Sequence, residues 1–296
     1  MNEENIIEKV RVPTFFKKRY ESQIDDFDSP LVNMKAIRVN TLLCNEKKLI
    51  NDLKKKGVKL NKIDWLDKGY TFESDFSMSS TAEYLKGFFY LQEAASQIPV
   101  QVLNPSPGEL VLDMSAAPGS KTTQIASYMN NEGVLVALDN SSRRIEKLNN
   151  NIERMGVTNS IVYNKDARFA NDLNIKFDKI LLDAPCSGNY CVEDSWFLKR
   201  TSEDFDMKSD TQKQLFSEAF QILKKSGEIV YSTCSLEIEE DEEVVEWALE
   251  TFNLKLIDTD LNMGNPGCTE KTKLCRKFWP HKTGTQGFFV AKFKKL

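Results

Sequence analysis

With 296 residues, 41% hydrophobic and 28% charged, and a formal net charge of −4, the chain has the composition of a soluble globular protein. No apolar stretch approaches the roughly 20 residues that cross a bilayer, and the start Met1-Asn2-Glu3-Glu4 lacks the basic and apolar regions of a signal peptide, so a cytoplasmic protein with no membrane partner is expected. Cys44, Cys186, Cys191, Cys234, Cys268 and Cys275 are too scattered for a disulfide framework and form no CxxC pair, and His281 is the only histidine, which argues against a metal site.

In chain order, a helix-like stretch at Pro13 to Asp25 precedes a strand at Ala36 to Thr41. A lysine-rich amphipathic helix follows, with Leu49, Ile50 and Leu53 on its apolar face and Gly57 as its stop. Strands near Lys62–Trp65 and Gly87–Gln92, with a helix beginning near Ser80, complete a small α+β unit. The turn-rich Asn104-Pro105-Ser106-Pro107-Gly108 marks a joint, and the expected division is residues 1–105 and 106–296.

Beyond the joint, strands and helices alternate. Strand Leu110–Asp113 precedes helix Lys121–Met129, and strand Val134–Asp139 precedes helix Ser142–Met155. Strands Ser160–Tyr163 and Phe177–Asp183 come next, then a helix from Asp210 to Lys224 and strand Glu228–Thr233. An acidic helix and strands near Lys255–Asp258 and Gly287–Lys292 finish the chain. This beat predicts an α/β fold with a mostly parallel sheet covered on both faces, where ligands sit beyond the carboxyl ends of the strands.

Charge is unevenly placed. Leu236 to Glu250 holds Glu237, Glu239, Glu240, Asp241, Glu242, Glu243, Glu246 and Glu250 with no basic residue, which leaves +4 for the remainder. The stretch reads as a solvated helix face whose first-turn acids suit the helix dipole. Lysines cluster at Lys47, Lys48, Lys54, Lys55, Lys56, Lys59 and Lys62, and bases recur after Met263, from Lys271 to Lys295. Such clusters could neutralise phosphates, but composition alone favours a solvated helix face and a ragged terminus.

The first strand of the larger unit ends in Asp113 and enters Met114-Ser115-Ala116-Ala117-Pro118-Gly119-Ser120-Lys121-Thr122. Small residues let the backbone approach a ligand, and the following helix offers free N–H groups to an anion, with Lys121 available for a carboxylate. Neither the phosphate-loop nor the GxGxxG spacing is present. Asp139 closes the second strand, where a carboxylate suits ribose hydroxyls; Asp166 follows the third and Asp183 closes the fourth. Each alone reads equally as a helix cap or turn acid. Four in register suggest a nucleoside cofactor.

Asp183-Ala184-Pro185-Cys186-Ser187-Gly188 and Ser232-Thr233-Cys234-Ser235 place two thiols at the same sheet edge. An isolated cysteine is usually a small buried hydrophobe; a pair at neighbouring strand ends is not.

At these residues the chain resembles the Nop/Sun family of S-adenosylmethionine-dependent RNA cytosine-5 methyltransferases, in a compact form without an appended RNA-binding domain. The likeness runs through Ile37-Arg38-Val39-Asn40-Thr41-Leu42, Gln92-Glu93-Ala94-Ala95-Ser96, Ala116-Ala117-Pro118-Gly119, the two cysteine motifs, Pro280-His281-Lys282 and Gly287-Phe288-Phe289-Val290-Ala291. It implies a Rossmann-like methyltransferase fold preceded by a module similar to an RNA-recognition motif. It also implies a role for each matching residue. Ser115, Ala116, Ala117, Pro118, Gly119, Ser120 and Lys121 would hold the methionine part of S-adenosylmethionine, Asp139 the ribose and Asp166 the adenine, with Arg144 on the cofactor side. Cys234 would be the nucleophile, Cys186 would help release product, and Asp183, plausibly protonated, would hold the target cytosine. The partner is RNA, with tRNA expected and ribosomal RNA the alternative, and the protein is expected to act as a monomer. A non-catalytic RNA-binding assembly factor is a further alternative.

Departures are few. Ser115 and Ser120 replace Cys and Gly, Asn189-Tyr190-Cys191 replaces a Gly-rich continuation, and Thr285-Gln286 replaces a frequent Asp.

Overall fold

The computed structural model describes residues 10–30, 34–191 and 195–296, so the acidic start of the chain lies outside it. Its first part contains α1 (Thr14–Glu21), β1 (Ala36–Val39), α2 (Glu46–Lys55), β2 (Lys59–Lys62), β3 (Gly69–Glu73), α3 (Ala82–Leu85), β4 (Phe89–Leu91) and α4 (Ile98–Leu103). The four strands pair antiparallel in the order β2-β3-β1-β4. With α2 and α3 as the intervening helices, this is the βαββαβ pattern of an RNA-recognition-like module. Asn45 caps α2 by accepting from the Lys48 N–H, and Leu49 and Leu53 pack on Ile37 and Val39 of the sheet.

Two elements differ from the sequence reading. The strand expected at Lys62–Trp65 lies earlier, at Lys59–Lys62, with buried Leu60 marking its inward face. Its partner β3 had gone unread, although Tyr70, Thr71 and Phe72 are strand formers. Helix α4 was also missed: Ile98–Leu103 is apolar on nearly every side, so period alone cannot tell it from a strand. Asn104, in a left-handed conformation at φ 45°, ends it.

The second part contains β5 (Leu110–Asp113), α5 (Ser120–Tyr128), β6 (Val134–Asp139), α6 (Ser142–Arg154), β7 (Ser160–Asn164), β8 (Phe177–Asp183), α7 (Trp196–Lys199), α8 (Ser202–Ile222) and β9 (Leu223–Thr233). It continues with α9 (Glu242–Thr251), β10 (Leu254–Ile257), β11 (Asn265–Pro266), β12 (Arg276–Phe278), α10 (Pro280–Thr283) and β13 (Phe288–Lys295). The sheet runs β11-β12-β13-β9-β8-β5-β6-β7, with β10 also on β13. Strands β5 to β9 are parallel, and β13 joins β9 antiparallel.

Alternation along the strands explains why both faces are covered. Leu112, Ile180, Leu182 and Tyr231 face a core shared with α8 and α9, whereas Val111, Leu181 and Val230 face one shared with α4 and α5. Helix α8 begins at Ser202, well before the expected Asp210, because Thr201 and Asp204 form a capping box. Strand order reverses at β5, between β8 and β6, so a crevice opens beyond the carboxyl ends of these strands.

Half of the acidic stretch is not a solvated face, although Glu243 and Glu250 of α9 are exposed as expected. Glu237, Glu240, Asp241 and Glu242 are all fully buried. Arg19 of α1 donates to Glu237 and Glu239, and Tyr20 donates to Glu237. Lys277 of β12, itself buried, pairs with Asp241 at 3.1 Å and Glu242 at 2.8 Å. A base of the tail therefore neutralises internal acids instead of reaching for phosphate. Among the described residues no helix is long and apolar enough to cross a membrane.

Candidate active site

Parallel pairing of β8 and β9 places Asp183 opposite Ser232, so the loops leaving both strands start side by side. One carries Cys186 and the other Cys234, and their sulfurs lie 3.0 Å apart. Asp183 accepts from Ser232 Oγ at 2.8 Å on one oxygen and from Lys121 Nζ at 2.7 Å on the other. The pair brings Asp183, expected to hold the target base, and Lys121, expected on the cofactor side, into one contact.

Electrostatics separate the two thiols. The hydrogen bond from Cys186 draws the Cys234 thiol below the usual range, aided by the Lys121 ammonium against burial and Asp183. The same bond and burial push Cys186 well above its usual value. Cys234 is thus the more readily ionised of the two thiols, and Cys186 the one that holds its proton longer. Burial works against the charge of Lys121, but Asp183, Asp113 and Cys234 outweigh it and hold the ammonium above its ordinary value.

Next to the thiols lies a cavity of about 580 Å³, lined by Ser115, Ala117, Asp139, Arg144, Asp166, Asp183, Cys186 and Cys234 among others. Asp139 accepts from the N–H groups of Ala117 at 3.2 Å and Ser141 at 3.0 Å, and Arg144 lies 3.4 Å from it. Asp166 is held by Arg168 at 2.7 Å. Ala116, Pro118, Gly119 and Ser120 shape the loop from behind. Gly119 has φ 106°, and a Cβ there would come within 3.1 Å of Leu148. Arg144 donates to the Ala117 carbonyl and Asn151 to that of Pro118.

Asp113 is displaced from the ligand-facing set. It is fully buried and accepts from Thr122 at 2.8 Å and the Ser115 N–H at 3.3 Å; burial raises it to about 6. Its work is to hold the loop. Residues missed by sequence reasoning also line the cavity: Asn140, Arg168, Asn189, Trp196, Arg200 and Thr211. Arg168 stands two positions after Asp166, a usable signal, while Trp196 and Arg200 had none. The atypical Asn189-Tyr190-Cys191 is well packed: Asn189 donates to the Cys234 carbonyl at 2.8 Å and the Gly287 carbonyl at 3.0 Å, and Tyr190 is buried. Gln286 donates to Ser96 at 2.9 Å.

Motifs that carried the resemblance include a joint between the two sheets. Arg38 of β1 donates to Thr123 at 2.8 Å and to the Ser120 carbonyl, at the start of α5. Asn40, on the same side of the chain, donates to the carbonyls of Gly87 and Met155, both at 2.8 Å.

A parallel sheet with a cofactor-sized cleft at its switch point, flanked by strand-end acids and two thiols, defines a Rossmann-like methyltransferase. Residues 100–294 match the family described as 16S rRNA methyltransferase RsmB/F, and residues 7–94 match the N-terminal domain of 16S rRNA methyltransferase RsmF. The chain belongs to the RsmB/F family of S-adenosylmethionine-dependent methyltransferases. It is 41% identical to the 25S rRNA (cytosine-C(5))-methyltransferase nop2 of Schizosaccharomyces pombe over 88% of this chain and 46% of that one. It spans about half the length of the curated relatives it matches. Among solved structures, a methyltransferase homolog protein from Pyrococcus horikoshii superposes with a TM-score of 0.87 at 37% identity, covering 96% of this chain and 95% of that one. NSun6 from Pyrococcus horikoshii with SFG gives a TM-score of 0.82 at 30% identity, over 89% and 91% of the two chains.

Proposed function

We propose that the protein methylates carbon 5 of cytosine in ribosomal RNA, with Cys234 as a covalent nucleophile. The observation that carries this reading is the thiol pair at 3.0 Å, one partner activated and the other donating, at the mouth of a nucleoside-sized cleft. A non-catalytic assembly factor has no need of it. The relatives matched are named for ribosomal RNA, which moves the substrate from the tRNA first expected to its alternative.

The cavity fits the cofactor. Its volume is that of a small-molecule site, and Asp139 and Asp166 line it with carboxylates suited to the hydroxyl and amino donors of a nucleoside. Ser115 and Ala117 would line the methionine end. When bound, S-adenosylmethionine supplies the electrophilic methyl group.

The remaining chemistry belongs to this chain. Cytosine carbon 5 is a weak nucleophile until the Cys234 thiolate adds to carbon 6 and makes the ring enamine-like. Asp183 would accept from the ring amino group, and a proton relayed from Lys121 would neutralise ring nitrogen 3. Once carbon 5 is methylated, its proton is lost to solvent, the freed electron pair re-forms the double bond as the carbon–sulfur bond breaks, and the proton on ring nitrogen 3 returns to Lys121. The carbon–sulfur electron pair then returns to Cys234, where the Cys186 S–H stabilises the departing thiolate. The target base must leave any helix to enter the cleft. RNA would be gripped within residues 1–105 and methylated within 106–296.

The test is methyl transfer from labelled cofactor to purified ribosomal RNA and to tRNA, each lacking prior methylation. Labelled 5-methylcytosine in ribosomal RNA supports the reading; label confined to tRNA returns the substrate to tRNA, and none in either overturns the activity.

A further inference from the structure

Among the buried acids, Glu240 is the one that touches both cysteine loops. Its carboxylate accepts from the Ser187 N–H at 3.0 Å and the Ser187 hydroxyl, from Ser235 Oγ at 3.0 Å and from Gln212 Nε2 of α8 at 2.8 Å. Ser187 is the residue after Cys186, and Ser235 the residue after Cys234. One carboxylate thus ties together the residues that follow the two thiols, and a helix behind them completes the clamp. Its backbone is fixed as well, because the Tyr231 hydroxyl donates to the Glu240 carbonyl at 2.5 Å.

The arrangement is costly. Burial pushes the Glu240 carboxyl up against the pull of its four donors, and its negative charge opposes thiolate formation at Cys234. A buried carboxylate in such a place needs a compensating use, because an apolar side chain of similar size would avoid both penalties. Four donors converging on two oxygens fix geometry more tightly than packing does. What they fix here is the separation of two sulfurs whose hydrogen bond reaches only 3.0 Å.

We propose that Glu240 is a positioning residue that holds Cys186 against Cys234, so that the Cys186 S–H supports both the attacking and the departing thiolate. This deepens the function proposed above and rests on it. The role is distinct from that of either thiol, because Glu240 does not line the cleft. It acts through Ser187 and Ser235.

The consequence falls mainly on release. Without the clamp, Cys234 still stands at the end of β9 and can add to the base, but it departs without a donor. Glu240→Gln keeps the volume while turning two donors against an amide N–H₂, and Ser187→Ala removes a single arm. Wild type, Cys186→Ala, Glu240→Gln and Ser187→Ala are incubated with S-adenosylmethionine and unmodified ribosomal RNA, and covalent protein–RNA adduct is followed on denaturing gels. Adduct should accumulate in Cys186→Ala. In Glu240→Gln it should resolve about tenfold more slowly than in wild type, and in Ser187→Ala about threefold, with cofactor affinity unchanged. If Cys186→Ala traps adduct while both clamp variants resolve it at the wild-type rate, the positioning role is overturned.

A second measurement needs no turnover. In the RNA-free protein, iodoacetamide labelling read by mass spectrometry should favour Cys234 over Cys186, since the thiolate is the reactive form. Loss of the clamp should reduce that preference at least about threefold, because the donor no longer faces its acceptor. An unchanged ratio in Ser187→Ala and Glu240→Gln overturns the proposal even if the adduct is never seen. Should Glu240→Gln not fold, Ser187→Ala and Ser235→Ala, each losing one hydroxyl, decide it by the same two readouts. Failure of Cys186→Ala to trap adduct, with the labelling preference intact in wild type and lost in the clamp variants, counts against the covalent reading alone.

Discussion

The two halves of the sheet edge are built on opposite plans. On the cysteine side, Glu237, Glu240, Asp241 and Glu242 are wholly buried and each finds its partner inside the protein. On the cofactor side, the acids lean on backbone and near neighbours: Asp139 takes the N–H of Ser141 two residues on and that of Ala117 in the loop after β5, and Asp166 takes Arg168 two residues on. Arg144 and Arg168 remain about half exposed there. The contrast follows from what each side must do. Under the proposed function, a donor exchanged at every turnover would need an open rim, whereas a nucleophile that must leave again would need a fixed neighbour.

Substitutions should separate the two plans, and the largest effect belongs to the nucleophile. Cys234→Ala should lower methyl transfer by about 10⁴-fold or more, read as label incorporated into RNA, with little change in the unfolding midpoint. Lys277→Met strikes the buried plan: it leaves Asp241 and Glu242 without their cation and should cost about 3–5 kcal/mol in urea unfolding. The variant should also acquire a pH slope. Burial raises Asp241 well above its ordinary value, so the folded state binds that proton more tightly than the unfolded one. Its contribution is present at low pH and lost as pH rises through the raised folded value, so the variant should be relatively more stable in acid.

Asp139→Ala tests the open plan. Cofactor affinity by calorimetry should fall about tenfold, the loss of one charge-assisted contact, while the thiol labelling preference stays as in wild type. Neutralising Lys54, Lys55 and Lys56 together should flatten the salt dependence of RNA binding by about one to two units of slope, since each phosphate contact contributes about 0.9. An unchanged slope would return that helix face to plain solvent. Arg168→Ala should have the smallest effect: no measurable change in melting temperature and at most about a threefold change in cofactor affinity. A large drop in melting temperature would show that the rim is braced like the cysteine side.

Much of the fold was legible because strand and helix periods are local. The alternation from Leu110 to Thr233 and the strand-end positions of Asp139, Asp166 and Asp183 all stand in short windows. The acidic stretch was misread for the opposite reason. No base lies within Leu236 to Glu250, and the nearest window shows only repulsion, while the actual partner of Glu237, Arg19, is 218 residues away. Glu240 escaped notice likewise, since its donors Ser187 and Gln212 come from other elements. Asp113 looked equivalent to the other strand-end acids, and only the turn of its side chain toward Thr122 sets it apart.

Arg38 and Asn40 carry a last consequence. β1 is fastened by one residue to the start of α5 and by the other to the end of α6, so the small sheet is anchored to two helices of the large one. Were the small sheet to grip nucleic acid, as proposed above, it would act as a ruler: the strand would meet the thiols at a set distance, and the choice of nucleotide would become a question of length.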